Sequence, residues 1–155
     1  MFRACARIWR YAVSKLRLDI DRAELDRRSE GTFPGFVGLE TVRVEENRIV
    51  MRLALRPEHQ APNGYLHGAV VVALADTACG YGTLAHLPQG ASGFTTIELK
   101  TNFLATAREG AIVCEAQALH LGRTTQVWDA DVRNEVSGQR LAAFRCTQVI
   151  LWSRS

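Results

Sequence analysis

The stretch Asn63–Gly82, NGYLHGAVVVALADTACGYG, decides how the rest of the chain is read. Ala69, Val70, Val71, Val72, Ala73, Leu74, Ala75, Ala78 and Cys79 are apolar or small on every face of a helix, which marks an element buried all round. Val is a mediocre helix former and Asp a poor one in mid-helix, so burial and not propensity holds this segment together. HQAPNG before it and PQGASG after it punctuate the chain, leaving one helix of roughly 20 residues that ends near Leu87. Inside it stands a single acid, Asp76, with Thr77 beside it and no Lys or Arg within a helical turn. A buried ionised carboxylate without a cation costs several kcal/mol unless hydrogen bonds satisfy it or its pKa rises. Two readings compete: a carboxylate at a wet edge or subunit interface, and a base or nucleophile in a cleft.

Strand-like runs flank this helix on both sides. GLETVRVEE and RIVMRLAL, with Glu46 and Asn47 between them, predict a hairpin, and TFPGFVG ahead of it, with Pro34 and its glycines, predicts a loop. After the helix come TTIELKTNFL, AIVCEAQALHL, TTQVWDADVRN and QRLAAFRCTQVIL, each rich in β-branched or aromatic residues in partial alternation. The expected order is hairpin, long helix, then four consecutive antiparallel strands, an α+β domain in which a sheet covers the lone helix. With 155 residues, 47% hydrophobic and 23% charged, one compact domain is expected over residues 31–155.

Residues 1–30 form a separate N-terminal segment. Phe2, Cys5, Trp9, Val13, Leu16 and Ile20 recur at helical spacing, with Arg3, Arg7, Arg10, Lys15 and Arg17 on the other face. A basic amphipathic helix packed on its own domain is expected; a mitochondrial transit peptide or a helix on an anionic membrane surface are the alternatives. A net charge of +3 with scattered basic residues does not make a nucleic-acid stripe. Cys5, Cys79, Cys114 and Cys146 stand far apart without ligand spacing, which fits a reducing, cytoplasmic compartment and no metal site. No apolar run approaches the roughly 20 residues that span a bilayer, so no stable membrane insertion is expected.

The start of the long helix carries its own chemistry. His67 and Gly68 lie where the first backbone N–H groups are free, and a Gly there lets a ligand oxygen approach the positive end of the helix dipole. Such a site stabilises a developing oxyanion. Gly68 and Asp76 are eight positions apart, so at about 1.5 Å per residue they are roughly 12 Å apart along the axis and cannot both touch one carbonyl group. If both serve one reaction, the acid comes from one copy of the chain and the helix N-terminus from another, which implies a symmetric homodimer with two equivalent interface sites.

HGAVVVALADTA resembles the HGGxxxxLxD signature of the PaaI-type acyl-CoA thioesterases, relatives of 4-hydroxybenzoyl-CoA thioesterase in the hotdog-fold superfamily, and FPGFVGLE, LKTNFLATAREG and LGRTTQVWDADVRN resemble its flanking segments. The resemblance covers Thr32 to about Leu151. It implies a long central helix wrapped by an antiparallel sheet of about five to six strands, dimerised edge to edge, with a dimer or a dimer of dimers as the complete assembly. It gives Asp76 the role of nucleophile or general base toward a water at the thioester carbonyl. Gly68 supplies the N–H that polarises that carbonyl, His67 shapes the turn, and the Thr96 hydroxyl positions the water or the acid. Gly122 and Arg123 match a turn near the coenzyme A phosphates, where an Arg suits phosphate contact. Asn63, Tyr65, Leu66, Tyr81 and Phe103 are the candidate lining of the acyl site, though each is also a plausible core or loop residue. Coenzyme A enters as part of the substrate, so no separate cofactor is implied. This chain departs from the pattern at Ala69, in place of the second Gly, and at Ala61, where relatives often carry Asn or Gln; Gln60 and Asn63 stand nearby but out of register. A non-catalytic acyl-CoA-binding dimer is the alternative from another class, and a hydratase the weaker enzymatic one. GxSxG, HExxH and GxxxxGK[ST] are absent. Cys79 has no neighbouring His to activate it, and His59, His86 and His120 fall in predicted loops or turns.

Overall fold

The computed structural model describes residues 14–153. A six-stranded antiparallel sheet in the order β1-β2-β4-β5-β6-β3 curls around one long helix, α3 (Gly68–Ala85). The strands are β1 (Leu39–Glu45), β2 (Arg48–Ala54), β3 (Ala91–Phe103), β4 (Ala111–Leu121), β5 (Thr125–Asn134) and β6 (Arg140–Trp152). The predicted hairpin forms as β1 and β2, turning at Glu46 and Asn47, and Asn47 takes the positive φ of 62° that Asn tolerates better than most residues.

The four later strands do not follow one another across the sheet. β3 pairs with β6 at the far edge, while β4 lies beside β2, so residues 104–110 form a crossover and not a hairpin. Three inter-strand steps of about 4.8 Å separate β3 from β4, a gap of roughly 14 Å that such a segment spans easily when extended. β3 also begins at Ala91, inside the PQGASG stretch expected to be only a turn.

TFPGFVG is not a plain loop. Phe33–Val37 form a short helix, α2, with Pro34 in its first turn and Gly38 closing it at φ 90°, donating its N–H to the Pro34 and Gly35 carbonyls. Most of the predicted N-terminal amphipathic helix falls on residues 1–13, outside the described residues; its remainder, residues 14–20, is not helical, and the Arg17 N–H donates to the Ala85 carbonyl at the end of α3. A helix forms one step later as α1 (Arg22–Ser29), because Asp21 accepts from the Glu24 N–H at 2.9 Å and Glu24 pairs with Arg27 and Arg28. Ile20 and Leu25 join the main core.

α3 touches all six strands. Its inner face places Leu74, Ala75, Ala78 and Cys79 against Ile49, Met51, Ile112 and Trp128. The helix is not buried all round, however: Ala69 is exposed, and Val72, Asp76 and Thr77 are only half-buried. By length and composition α3 resembles a membrane span, yet it is the core helix of the sheet. Gly82 allows a close approach between α3 and the sheet, since a Cβ there would lie 2.7 Å from the fully buried Trp128 ring. Gly82→Ala is therefore expected to destabilise by about 1–3 kcal/mol despite its better helix propensity, and an unchanged denaturation midpoint would contradict this packing.

Two histidines expected in loops are buried. His86 caps the end of α3, accepting from the Asn47 N–H at Nε2 (3.0 Å) and donating from Nδ1 to the Gly82 carbonyl (2.8 Å). His59, in a 3₁₀ turn, accepts from the Arg56 N–H and donates to the Val37 carbonyl. Burial pushes both imidazoles below the ordinary value of 6.5. The unfolded chain then binds protons more readily, so the stability from neutral His59 and His86 is complete above 6.5 and declines as pH falls below it. The melting temperature is expected to drop between about pH 7.5 and about pH 5.5, and a flat profile would count against these neutral, hydrogen-bonded imidazoles.

Candidate active site

The N-terminus of α3 is held by its approach loop. The His67 N–H donates to the His59 carbonyl (2.9 Å), the Leu66 N–H donates to Thr106 Oγ1 (3.0 Å), and Gly64 turns the chain at φ 77°. His67 is the N-cap: its exposed ring accepts from the Ala69 N–H at Nδ1, 3.1 Å away. The Gly68 N–H sits in the first turn, where no preceding helical carbonyl exists to receive it. The Phe103 ring lies over Gly68, so close that a Cβ there would be 3.0 Å from Phe103 Cζ. The loop from Gln60 to Gly68 therefore presents backbone donors beside an aromatic face.

Asp76 lies two turns further along the same helix, on its open side. Thr96 Oγ1 approaches Asp76 Oδ1 at 3.2 Å, from a point where the β3–β6 register slips between Thr96 and Glu98. A bulge of this kind re-aims a side chain. No salt bridge reaches Asp76 among the described residues. Burial pushes its carboxyl above the ordinary value, and the Thr96 hydrogen bond pulls it part of the way back. The carboxyl is thus set toward basicity without a cation to neutralise it.

The β4–β5 turn carries Gly122 and Arg123. Gly122 is buried, with its N–H donating to the Thr125 carbonyl (3.0 Å), and a Cβ there would run into His120 and Thr125. Arg123 is exposed and stacks its guanidinium 4.6 Å above the Trp152 ring. Gln126, three residues on, pairs with Gln148, which pairs in turn with Thr96, so this turn and the Asp76 contact share one end of the sheet.

Not every predicted lining residue stays free for a ligand. Leu66 is buried in the core, Tyr81 packs toward α1 with its hydroxyl 2.6 Å from Ser29 Oγ, and the Asn63 side chain accepts from the Tyr65 N–H. Tyr65 remains exposed, with the Arg108 guanidinium 5.9 Å from its ring centroid. The Gln60 amide donates to the Arg108 carbonyl (3.2 Å), and the Asn63 side chain is engaged by its own turn. Gln148, fully buried and 2.9 Å from Thr96 Oγ1, escaped the sequence reading. Only the cross-strand register, which pairs residues far apart in the chain, brings it to Asp76.

Residues 63–140 match the family described as the thioesterase superfamily. The chain is 34% identical over 111 residues to the 1,4-dihydroxy-2-naphthoyl-CoA hydrolase of Listeria monocytogenes, covering 72% of this chain and 89% of that protein. A thioesterase structure from Haemophilus influenzae superposes with a TM-score of 0.78 at 26% identity, over 84% of this chain and 90% of the other. A thioesterase from Pseudomonas aeruginosa, solved as a Gln→Ala variant, shares the fold at a TM-score of 0.82 and 24% identity, over 88% and 97% of the two chains. With helix, sheet order and sequence in agreement, the chain belongs to the thioesterase superfamily and is a thioester hydrolase of the hotdog fold.

Proposed function

We propose that the chain hydrolyses the thioester of an acyl- or aryl-acyl-CoA to the free acid and coenzyme A, at two equivalent sites shared between the protomers of a homodimer. The observation that carries this reading is the placement of Asp76: a carboxyl with raised basicity and no ion-pair partner among the described residues, on the open side of the helix whose free N-terminus is roughly 12 Å away. Ligand binding alone would not require that carboxyl, which weighs against a purely acyl-CoA-binding dimer. Edge strand β3 supports the homodimer, because it exposes Ile97 and Leu99 along an unpaired edge next to Thr96.

In each site the thioester carbonyl oxygen receives the Gly68 N–H of one protomer, with the dipole of α3 behind it. Asp76 of the other protomer acts at the carbonyl carbon, as base on a water or as nucleophile. In the first route the water proton passes to Asp76, the hydroxyl oxygen bonds to the carbon, the C–S bond breaks, and Asp76 returns the proton to the departing thiolate. In the second, the carboxylate oxygen bonds to the carbon as the C–S bond breaks and coenzyme A leaves as thiolate; water then opens the resulting anhydride, releasing the acid and restoring the Asp76 carboxylate, and the proton it gives up goes to the thiolate. Single-turnover hydrolysis in H₂¹⁸O tests the second route, since label in the Asp76 carboxylate requires an anhydride opened at that carboxyl carbon, whereas direct attack by water places the label in the released acid.

His67 holds the Ala69 N–H and shapes the turn, while Thr96 positions Asp76. Ala69 leaves its backbone in place but adds a methyl group beside the carbonyl site. Gly122 and Arg123 supply the coenzyme A end, where the guanidinium above Trp152 suits a phosphate. Phe103 over Gly68 and the exposed Tyr65 offer aromatic surface to the acyl group, and the name of the Listeria monocytogenes relative favours a hydroxylated aromatic acid. Cys79, Cys114 and Cys146 are free and buried, which suits a reducing cytoplasm as the working compartment. Free thiol released from aryl, hydroxyaryl and medium-chain acyl-CoA esters tests the reading: turnover is expected to be fastest with a hydroxyaryl ester, and absence of hydrolysis across the panel would refute it.

A further inference from the structure

Thr96 carries one hydroxyl proton and has two acceptors for it. Its Oγ1 lies 3.2 Å from Asp76 Oδ1 and 2.9 Å from Gln148 Oε1. Gln148 is fully buried, and the other end of its amide lies 3.4 Å from the Sγ of the equally buried Cys146. When Asp76 is ionised it offers no proton, so the Thr96 hydroxyl must donate to it, and Gln148 Oε1 would then face Thr96 without a donor. Turning the amide about its last torsion removes the conflict, because the oxygen and nitrogen ends have nearly the same shape. Nε2 then donates to Thr96 Oγ1, the hydroxyl donates to Asp76, and the Cys146 thiol donates to Oε1. When Asp76 holds a proton, the opposite orientation satisfies every group: Asp76 donates to Thr96, Thr96 to Oε1, and Nε2 to Cys146 Sγ.

We infer that Gln148 is a positioning residue for Asp76, whose buried amide directs the Thr96 hydroxyl in both protonation states of the carboxyl. An amide is the side chain that serves as donor in one half of the cycle and acceptor in the other. Cys79, one turn along α3, Cys146 on β6 and Cys114 on β4 are titratable groups of this region; burial pushes the Cys79 and Cys114 thiols up, keeping both neutral. The inference rests on the catalytic role proposed for Asp76.

The test compares full-length wild type, Asp76→Asn, Thr96→Val, Gln148→Met and the Thr96→Val/Gln148→Met double variant on one acyl-CoA ester that wild type hydrolyses. Gln148→Met is expected to lower kcat about 3- to 10-fold, the equivalent of one hydrogen bond, with KM within about twofold. Because Gln148 acts through Thr96, the double variant should be no slower than Thr96→Val alone. Gln148→Glu, of the same shape, keeps the test open if Gln148→Met fails to fold. Its second carboxyl competes for the single hydroxyl, so the acidic limb of kcat/KM should move to higher pH. Effects that multiply in the double variant, or a Gln148→Glu acidic limb identical to wild type, would overturn the inference. If Asp76→Asn is inactive while those results hold, only the role of Gln148 fails; if Asp76→Asn keeps the wild-type rate, the catalytic reading fails with it.

Discussion

Replacing Asp76 with Asn is expected to lower kcat by about 10²-fold or more, and Asp76→Ala at least as much, because a positioned acid-base group contributes that much to rate. The amide keeps the shape of the carboxyl and can still accept from Thr96, so the loss would belong to proton transfer or nucleophilic attack and not to a collapsed site. Stability should move in the opposite direction. Burial raises the folded-state pKa of Asp76 above the ordinary value, so the unfolded chain loses this proton first as pH rises. The resulting penalty is complete once pH exceeds the folded value. Asp76→Asn removes it and should raise the melting temperature while abolishing turnover, the pattern of a functional charge held against its own solvation. Comparable kcat in wild type and both variants would retire Asp76 from the chemistry.

The second large effect is expected at Gly68. Gly68→Pro deletes one N–H at the first helical position, the place in a helix where Pro is best tolerated. His67 already has the extended conformation (φ −66°, ψ 128°) preferred before Pro. The Cβ of the new ring first meets Phe103, an exposed side chain with room to shift. The helix should therefore form, and kcat should fall about 10²- to 10³-fold, the usual consequence of losing one oxyanion donor. Gly68→Ala is the companion variant, since it retains the N–H and crowds the same space. A Gly68→Pro protein as slow as Gly68→Ala would assign the loss to crowding by Phe103 and not to the missing donor.

Asp76 stood out in the sequence because one acid in an apolar helix conflicts with its surroundings, and that conflict survives in the fold as a half-buried carboxyl without an ion pair among the described residues. The β1–β2 hairpin and α3 were legible for similar local reasons, namely alternation, a turn-forming Asn47 and flanking Gly and Pro. Strand order was not. Nothing in the alternation of β3 states that it pairs with β6, because partner choice depends on how the crossover through residues 104–110 spans the sheet. Gln148 was hidden for the same reason. α1 was legible and missed: Asp21 followed by Glu24 is a helix-start signal, and the longer basic periodicity upstream masked it. Leu66 and Tyr81 show the limit of reading a pocket from residue type, since both are apolar or aromatic near the helix and both are committed to internal packing.

The shared site between protomers is the central claim, and subunit complementation tests it most directly. Asp76→Ala and Gly68→Pro protomers, each nearly inactive alone, are mixed in equal amounts, dissociated and allowed to reassociate. Random pairing makes half of the dimers mixed, and each mixed dimer holds one site with both defects and one with neither, so about a quarter of wild-type activity should return. Activity that stays at the level of the separate variants, although mixed dimers form, would contradict a site built from Gly68 of one copy and Asp76 of the other.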